Sequence, residues 1–416
     1  MKKVLFLLVL ISVLLVTGLF AKTTITYWQY FYQTKKDTIN ELIKDFEKEN
    51  PDIEVVHETF PYADFGTKVA SSIPIGRGPD VITLYYGWLP SYVGADYLIP
   101  LPEKYFPEEF INENFFSFVK PGVTYEGNIY ALPIAVRSLA LFYNKKLFEE
   151  AGLDPNSPPE TLDELLEYAQ KLSKYDGKGN LIQEGLGVQP NNQGHHWFRE
   201  ILVRQFGGTP YTDDGLMVAY DSPEGKEAFK WYTDLSTEYN VGFPNFVTDD
   251  RTAFNAQKNA MLIDGSFAIG NFLKNKALDW GVTTIPSKDG IEANFASFWC
   301  HGITKNVVED AAKEEAAAKF LKFITSPEAM ELWLKNVGEL PANPTLAAQY
   351  NDDPIYGPFL QGLEYANSTF FVDEAAQRNV IVDAFDKVYL EGQSPDTAID
   401  EAAAIEQEVL DEFYGK

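Results

Sequence analysis

The sequence predicts an α/β protein of two domains, and three observations carry that reading. Strand, helix and strand patterns alternate from Thr23 to Leu84, which points to a parallel sheet. At 416 residues the chain is too long for one compact core. The stretch NIYALPIAVRSLALFYNKKL, Asn128 to Leu147, holds two apolar runs split by one charge, as expected where a chain crosses between domains.

Taken in order, Met1-Lys2-Lys3, the apolar run Val4 to Val16 and the segment Thr17 to Ala21 have the three regions of a secretory signal. Cleavage is expected after Ala21. The apolar stretch is long for a signal, so an uncleaved membrane anchor is the alternative. Either form places the protein in the periplasm or outside the cell. Cys300 stands alone, which excludes an internal disulfide and a metal-cysteine cluster. No cofactor is implied. The net charge of −27 argues against nucleic acid and anionic membrane surfaces as partners.

Thr23 to Trp28 reads as a strand, and Ile39, Leu42, Ile43 and Phe46 then recur at helical spacing up to Pro51. Ile53, Val55 and Val56 begin a second strand, and Asp80 to Leu84 forms a third. Ligands of such sheets sit beyond the carboxyl ends of the strands. Those ends carry Gln29-Tyr30-Phe31-Tyr32 and Tyr85-Tyr86-Gly87-Trp88. In the crossing segment Pro133 should stop a strand or confine it to an edge. Arg137, alone between two buried runs, needs a partner from the protein or from a ligand.

Helices dominate the second half. Thr161 with Glu164 forms a capping box, and Ser222-Pro223, Ser326-Pro327 and Ser394-Pro395 each set a Ser cap before a first-turn Pro. Asp176 to Asn180 is a hairpin tip, because Lys178 stands where a calcium loop needs a carboxylate. Asn191 to Trp197, NNQGHHW, breaks all periodicity. Ala260 to Phe272 reads as a strand end, a turn and a helix start. Gly281 to Pro286 is a strand, and Phe295 to His301 is a third aromatic cluster.

Aromatic faces interleaved with amides and a few charges suit polyhydroxylated ligands, whose C–H faces stack on rings while hydroxyls bond to polar side chains. The candidates are Trp28, Gln29, Tyr85, Tyr86, Trp88, Trp197, Phe267 and Trp299, with Arg137 as the charged contact and Asp80 or Asp264 to balance it. Hydrolase chemistry has little support. Sixty-one acidic residues make some carboxylate pair inevitable, so a pair says nothing about glycoside hydrolysis. There is no GxSxG elbow, and His195-His196 lacks the spacing of a zinc site.

The segment PIAVRSLALFYNKKL, Pro133 to Leu147, resembles the crossing segment of the maltose-binding protein family. FEKENPDIEV from Phe46, GPDV from Gly78, AMLIDGSFAIGNF from Ala260 with GVTTIP at Gly281, and GQSPDTAIDEA from Gly392 agree in order and spacing. The resemblance implies the two-lobed periplasmic-binding-protein fold, with discontinuous lobes joined by hinge crossings and closing on a ligand like a flytrap. The lobes are expected at 22–137 with 286–338, and at 138–285 with 339–416, after a signal at 1–21. Phe267 stands where the family has a sugar-stacking Trp. Gly87-Trp88 replaces an Asp-Arg pair that bonds sugar hydroxyls, and Arg137 replaces an acidic ligand residue. His196 and Trp197 fall in a segment that supplies a Tyr to the sugar, and Arg378 in one that supplies a Trp. The function implied is capture of a saccharide or polyol and its delivery, by a monomer, to the permease subunits of an ABC importer. The alternatives are a secreted glycan-active hydrolase and a binder of a sugar or polyol phosphate, which Arg137 could hold bidentately.

Overall fold

The computed structural model describes residues 22–369 and 371–415, so the expected export signal lies outside the described residues. In chain order the strands that shape it are β1 (Thr23–Tyr30), β2 (Ile53–Phe60), β3 (Val81–Tyr85), β4 (Ala131–Arg137), β5 (Leu139–Asn144), β6 (Met261–Gly265), β7 (Trp280–Thr283), β8 (Asn294–Phe295), β9 (Ser297–Ile303), β10 (Leu340–Pro341) and β11 (Ala366–Asn367). They form a six-stranded sheet in the order β10-β4-β9-β3-β1-β2, a three-stranded sheet β6-β5-β7, and the pair β8-β11. The first three strands run parallel, as their β-α-β pattern requires. The sheet as a whole is mixed, because β9 inserts antiparallel between β3 and β4.

Local chemistry accounts for these elements. The helix Gln33–Glu49 turns Ile39, Leu42, Ile43 and Phe46 inward and ends just before Pro51, whose ring disfavours helix in the preceding residue. Ser222, Ser326 and Ser394 each accept a backbone N–H at the start of their helices. Asp176 to Asn180 closes a hairpin, with Asp176 accepting from Lys178 and Asn180 backbone N–H groups. Thr161 caps its helix as expected, whereas Glu164 reaches back to the backbone of Glu160, one residue earlier than a full capping box.

Pro133 does not stop its strand. It lies inside β4 opposite Cys300, where the register shifts, and β10 pairs only with Ala135 and Val136. At Pro133 the strand is therefore an edge, so the missing N–H leaves no ladder bond unmade.

One residue, Ser138, separates β4 of the large sheet from β5 of the small one. Buried peptide groups at such a crossing need partners. Asn294 supplies two, accepting from Leu139 N–H at 3.1 Å and donating to Leu139 C=O at 2.9 Å. Ser138 Oγ donates to Phe359 C=O at 2.8 Å. The chain returns at Ala296, between β8, which pairs with β11, and β9 of the large sheet. Leu340–Pro341 then forms the edge of the large sheet before the chain departs again.

Candidate ligand-binding site

A cavity of about 410 Å³ opens where β1 and β4 end, within the size range of small-molecule sites. Tyr30, Tyr62, Arg137 and Trp299 face it from the large sheet and its loops. Asn192, Gln193, Arg251 and Phe267 face it from the opposite side, and Lys35 and Glu339 complete the wall. A larger groove of about 620 Å³ lies between the 124–126 hairpin, residues 209–215 and Tyr414. None of its lining residues belongs to the aromatic clusters after β1, after β3 or in β9, whereas the smaller cavity is lined by Tyr30 and Trp299, so the smaller cavity is the candidate site.

Trp299 is the centre of an aromatic wall. Its ring centroid lies 4.4 Å from Tyr30, 5.1 Å from Trp88, 5.8 Å from Tyr85 and 6.2 Å from Tyr62. Strand register makes this arrangement, since Trp299 pairs directly with Tyr85 across β9 and β3. Tyr62 opens the helix Tyr62–Ser72 just beyond β2 and is 58% exposed. A large ring left so open beside a cavity offers a face for a ligand.

The charges are committed to one another. Arg137 donates from Nε, at 2.9 Å, and from Nη2 to the same oxygen of Glu339. Lys35 donates to that oxygen at 3.0 Å and to the Tyr30 hydroxyl at 2.8 Å. The other Glu339 oxygen accepts from Trp333 Nε1 at 2.9 Å. Burial alone would raise the Glu339 carboxyl, but the Arg137 and Lys35 cations overcome this and hold it at about 2. Across the cavity Arg251 grips Asp264 through Nε and, at 2.8 Å, through Nη2. That Nη2 also donates to Asn192 Oδ1 at 3.3 Å, the oxygen that caps the helix Gln193–Gln205. Both guanidinium carbons lie near Phe267, 5.2 Å from its centroid for Arg137 and 5.0 Å for Arg251.

Of the residues singled out in the sequence, Arg137, Phe267 and Trp299 line the cavity. Tyr85 and Trp88 pack directly behind Trp299. Trp197 is fully buried and supports Phe267 edge-on at 6.2 Å. Asp264 acts through Arg251 and does not balance Arg137. Gln29 is buried in a small space beneath the cavity, beside Thr83 and His301. Tyr86 stacks on Phe298, and His196 packs against Phe371, where burial and then Arg199 push its imidazole well below the usual range. Arg378 is held by Glu374, four residues earlier in its helix, and by the Asn191 carbonyl.

Two expectations are corrected. Trp28 turns away from the cavity to pack on Phe60 at 4.7 Å and under Lys68, because it sits one pleat below Tyr30 on β1. Asp80 precedes β3, five residues or ~16 Å of strand from Tyr85. There it accepts from Thr26 N–H at 2.8 Å and from Lys313 at 3.4 Å. The partner of Arg137 is Glu339. A third correction concerns Asn191 to Trp197, where the helix Gln193–Gln205 begins. It is buried on nearly every side, so it shows no apolar stripe to read.

Tyr62, Lys35, Asn192, Arg251 and Glu339 were missed. Tyr62 carried a signal, an aromatic at a helix start just beyond a strand. Glu339, 202 residues from Arg137, carried none.

Among the described residues no helix is long and apolar enough to cross a membrane. A family model described as bacterial extracellular solute-binding protein matches residues 41–358. The chain is 28% identical over 361 residues to a maltotriose-binding protein of Pyrococcus abyssi, covering 82% of this chain and 72% of that one. A cyclic alpha-maltosyl-1,6-maltose binding protein from Arthrobacter globiformis superposes with a TM-score of 0.82 at 23% identity, over 94% of this chain and 99% of that one. A solute-binding protein from Thermotoga lettingae bound with alpha-D-tagatose gives 0.77 at 26% identity, over 94% and 100%. These likenesses show a two-lobed α/β fold.

Proposed function

The chain belongs to the bacterial extracellular solute-binding proteins, and from that premise we propose that it captures a saccharide in the cavity beneath Trp299 and delivers it to an ABC importer. The family's members bind solutes and work outside the cytoplasm. The observation that carries the saccharide reading is the wall of Tyr30, Tyr62 and Trp299, backed by Trp88, facing Phe267 across a cavity edged with hydrogen-bonding side chains. Ring faces stack on sugar C–H groups, and the guanidinium and amide edges of Arg137, Arg251, Asn192 and Gln193 can reach hydroxyls. The relatives named above, which bind maltotriose, a cyclic maltosyl saccharide and tagatose, support the same ligand class.

In this reading the two lobes are built on the large and the small sheet. They join at Ser138, near Ala296 and beyond Pro341, which moves the second and third crossings a little past the positions expected at 286 and 339. Closure of the lobes excludes water from the stacked ligand and strengthens its polar contacts. The protein acts as a monomer toward the membrane permease and has no catalytic role. A thermal-shift screen of saccharides and polyols, with product analysis on each hit, tests this. A saturating ligand at about 100 times its Kd adds about 2.7 kcal/mol to stability, with no product formed over time. Product accumulation would make the protein a glycan-active enzyme instead.

A further inference from the structure

The cavity holds three cations, Lys35, Arg137 and Arg251, and the chain answers them with two buried carboxylates. Lys35 and Arg137 converge on one oxygen of Glu339, whose second oxygen is taken by the Trp333 indole. Arg251 is matched by Asp264 in a two-point pair. Glu339 is 5% exposed and Asp264 fully buried. An anionic ligand group that reached Arg137 or Lys35 would lie beside the buried Glu339 carboxylate that already holds them, and that like charge opposes it whether or not the ion pair opens. A hydroxyl has no such conflict. It can accept from the Nη1 groups of Arg137 and Arg251, which make no hydrogen bond among the described residues, while both ion pairs stay intact.

We infer that Glu339 is a built-in counter-ion that reserves the cavity for an uncharged sugar unit and rejects phosphorylated or carboxylated ones. This specificity rests on the saccharide-binding reading above. Glu339 occupies the position that the ligand's own anion would take in a phosphate-binding cavity. Removing its charge leaves Lys35 and Arg137 unopposed around a space that still has room for an anion.

The test uses the purified protein and its Glu339→Gln variant, with calorimetry and thermal shift against a neutral saccharide found by screening, its phosphate ester, and inorganic phosphate. The natural protein should bind the ester at least about 100-fold more weakly than the neutral sugar, from the usual loss on unpairing a buried charge. Millimolar inorganic phosphate should leave its Tm unchanged. The variant should be stabilised by inorganic phosphate, and its preference should shift at least about tenfold toward the ester. If the variant folds poorly in plain buffer, its refolding yield with and without phosphate gives the same reading. A natural protein that prefers the ester, or a variant that gains nothing from phosphate, overturns the inference. A natural protein that binds no saccharide of either kind overturns the saccharide reading, while the phosphate response of the variant still decides the role of Glu339.

Discussion

Replacing Tyr62 with Ala separates ligand binding from folding. The ring is 58% exposed and rests on Tyr30, Trp88 and Trp299 with the remainder. An aromatic side chain buries about 200 Å² when fully covered, so roughly 120 Å² is open to a ligand, worth about 3 kcal/mol at ~25 cal/mol per Å². A sugar face is only partly apolar, which lowers the expected loss to about 2 kcal/mol, or about 30-fold in Kd. The covered part corresponds to ~2 kcal/mol of stability as an upper bound. Ala is the better helix former by about 0.5 kcal/mol, so the net cost to folding should stay near 1 kcal/mol. Calorimetric titration gives the first quantity and denaturant unfolding the second. A variant that binds within about threefold of the natural protein would refute the placement of the ligand against this ring. A loss of more than about 4 kcal/mol in stability would make Tyr62 a core residue and the cavity an accident of packing.

Three further outcomes are expected. Asp80→Asn should lower stability by about 1–3 kcal/mol, because the Thr26 N–H and Lys313 lose their charged partner, and leave saccharide affinity unchanged in the same titration. Asn294→Ala, which unclamps both peptide groups of Leu139 at the crossing, should cost at least about 2 kcal/mol by denaturant unfolding. Stability should also depend on Glu339. Its native carboxyl is held at about 2 against an ordinary 4.5, so the unfolded chain takes up the proton first as the pH falls. The contribution, roughly 3 kcal/mol, is complete above 4.5 and lost progressively down to about 2. Urea unfolding between pH 6 and pH 3 should therefore show a shallower slope in Glu339→Gln than in the natural protein.

The sequence made the architecture legible because its signals are local. The β-α-β alternation placed β1, β2 and β3, serine caps marked three helix starts, and the lone Arg137 between apolar runs marked the crossing at Ser138. The mixed character of the sheet was hidden, since β9 returns antiparallel from more than 200 residues beyond β3. The aromatic wall was half visible. Trp299, Tyr85 and Trp88 were found as clusters, and the cross-strand pairing that assembles them follows from register. Depth along the strand misplaced Trp28, which shares a face with Tyr30 but lies two residues short of the end of β1, and residue type alone does not say which aromatic of a strand end reaches past it. Glu339 and Arg251 were out of reach, as ion pairs formed across sequence separation leave no trace in spacing.

Seven tryptophans report on the protein's interior, and Trp299 stands in the cavity wall itself. Titrating the natural protein and its Trp299→Phe variant with saccharides, while following tryptophan emission, tests both binding and its location. With the sugar against Trp299, a saturable, one-to-one change is expected in the natural protein and is largely lost in the variant, together with weaker affinity. A saccharide response of equal size in both proteins would put the ligand elsewhere, and no response to any saccharide would contradict the claim that this cavity holds a sugar.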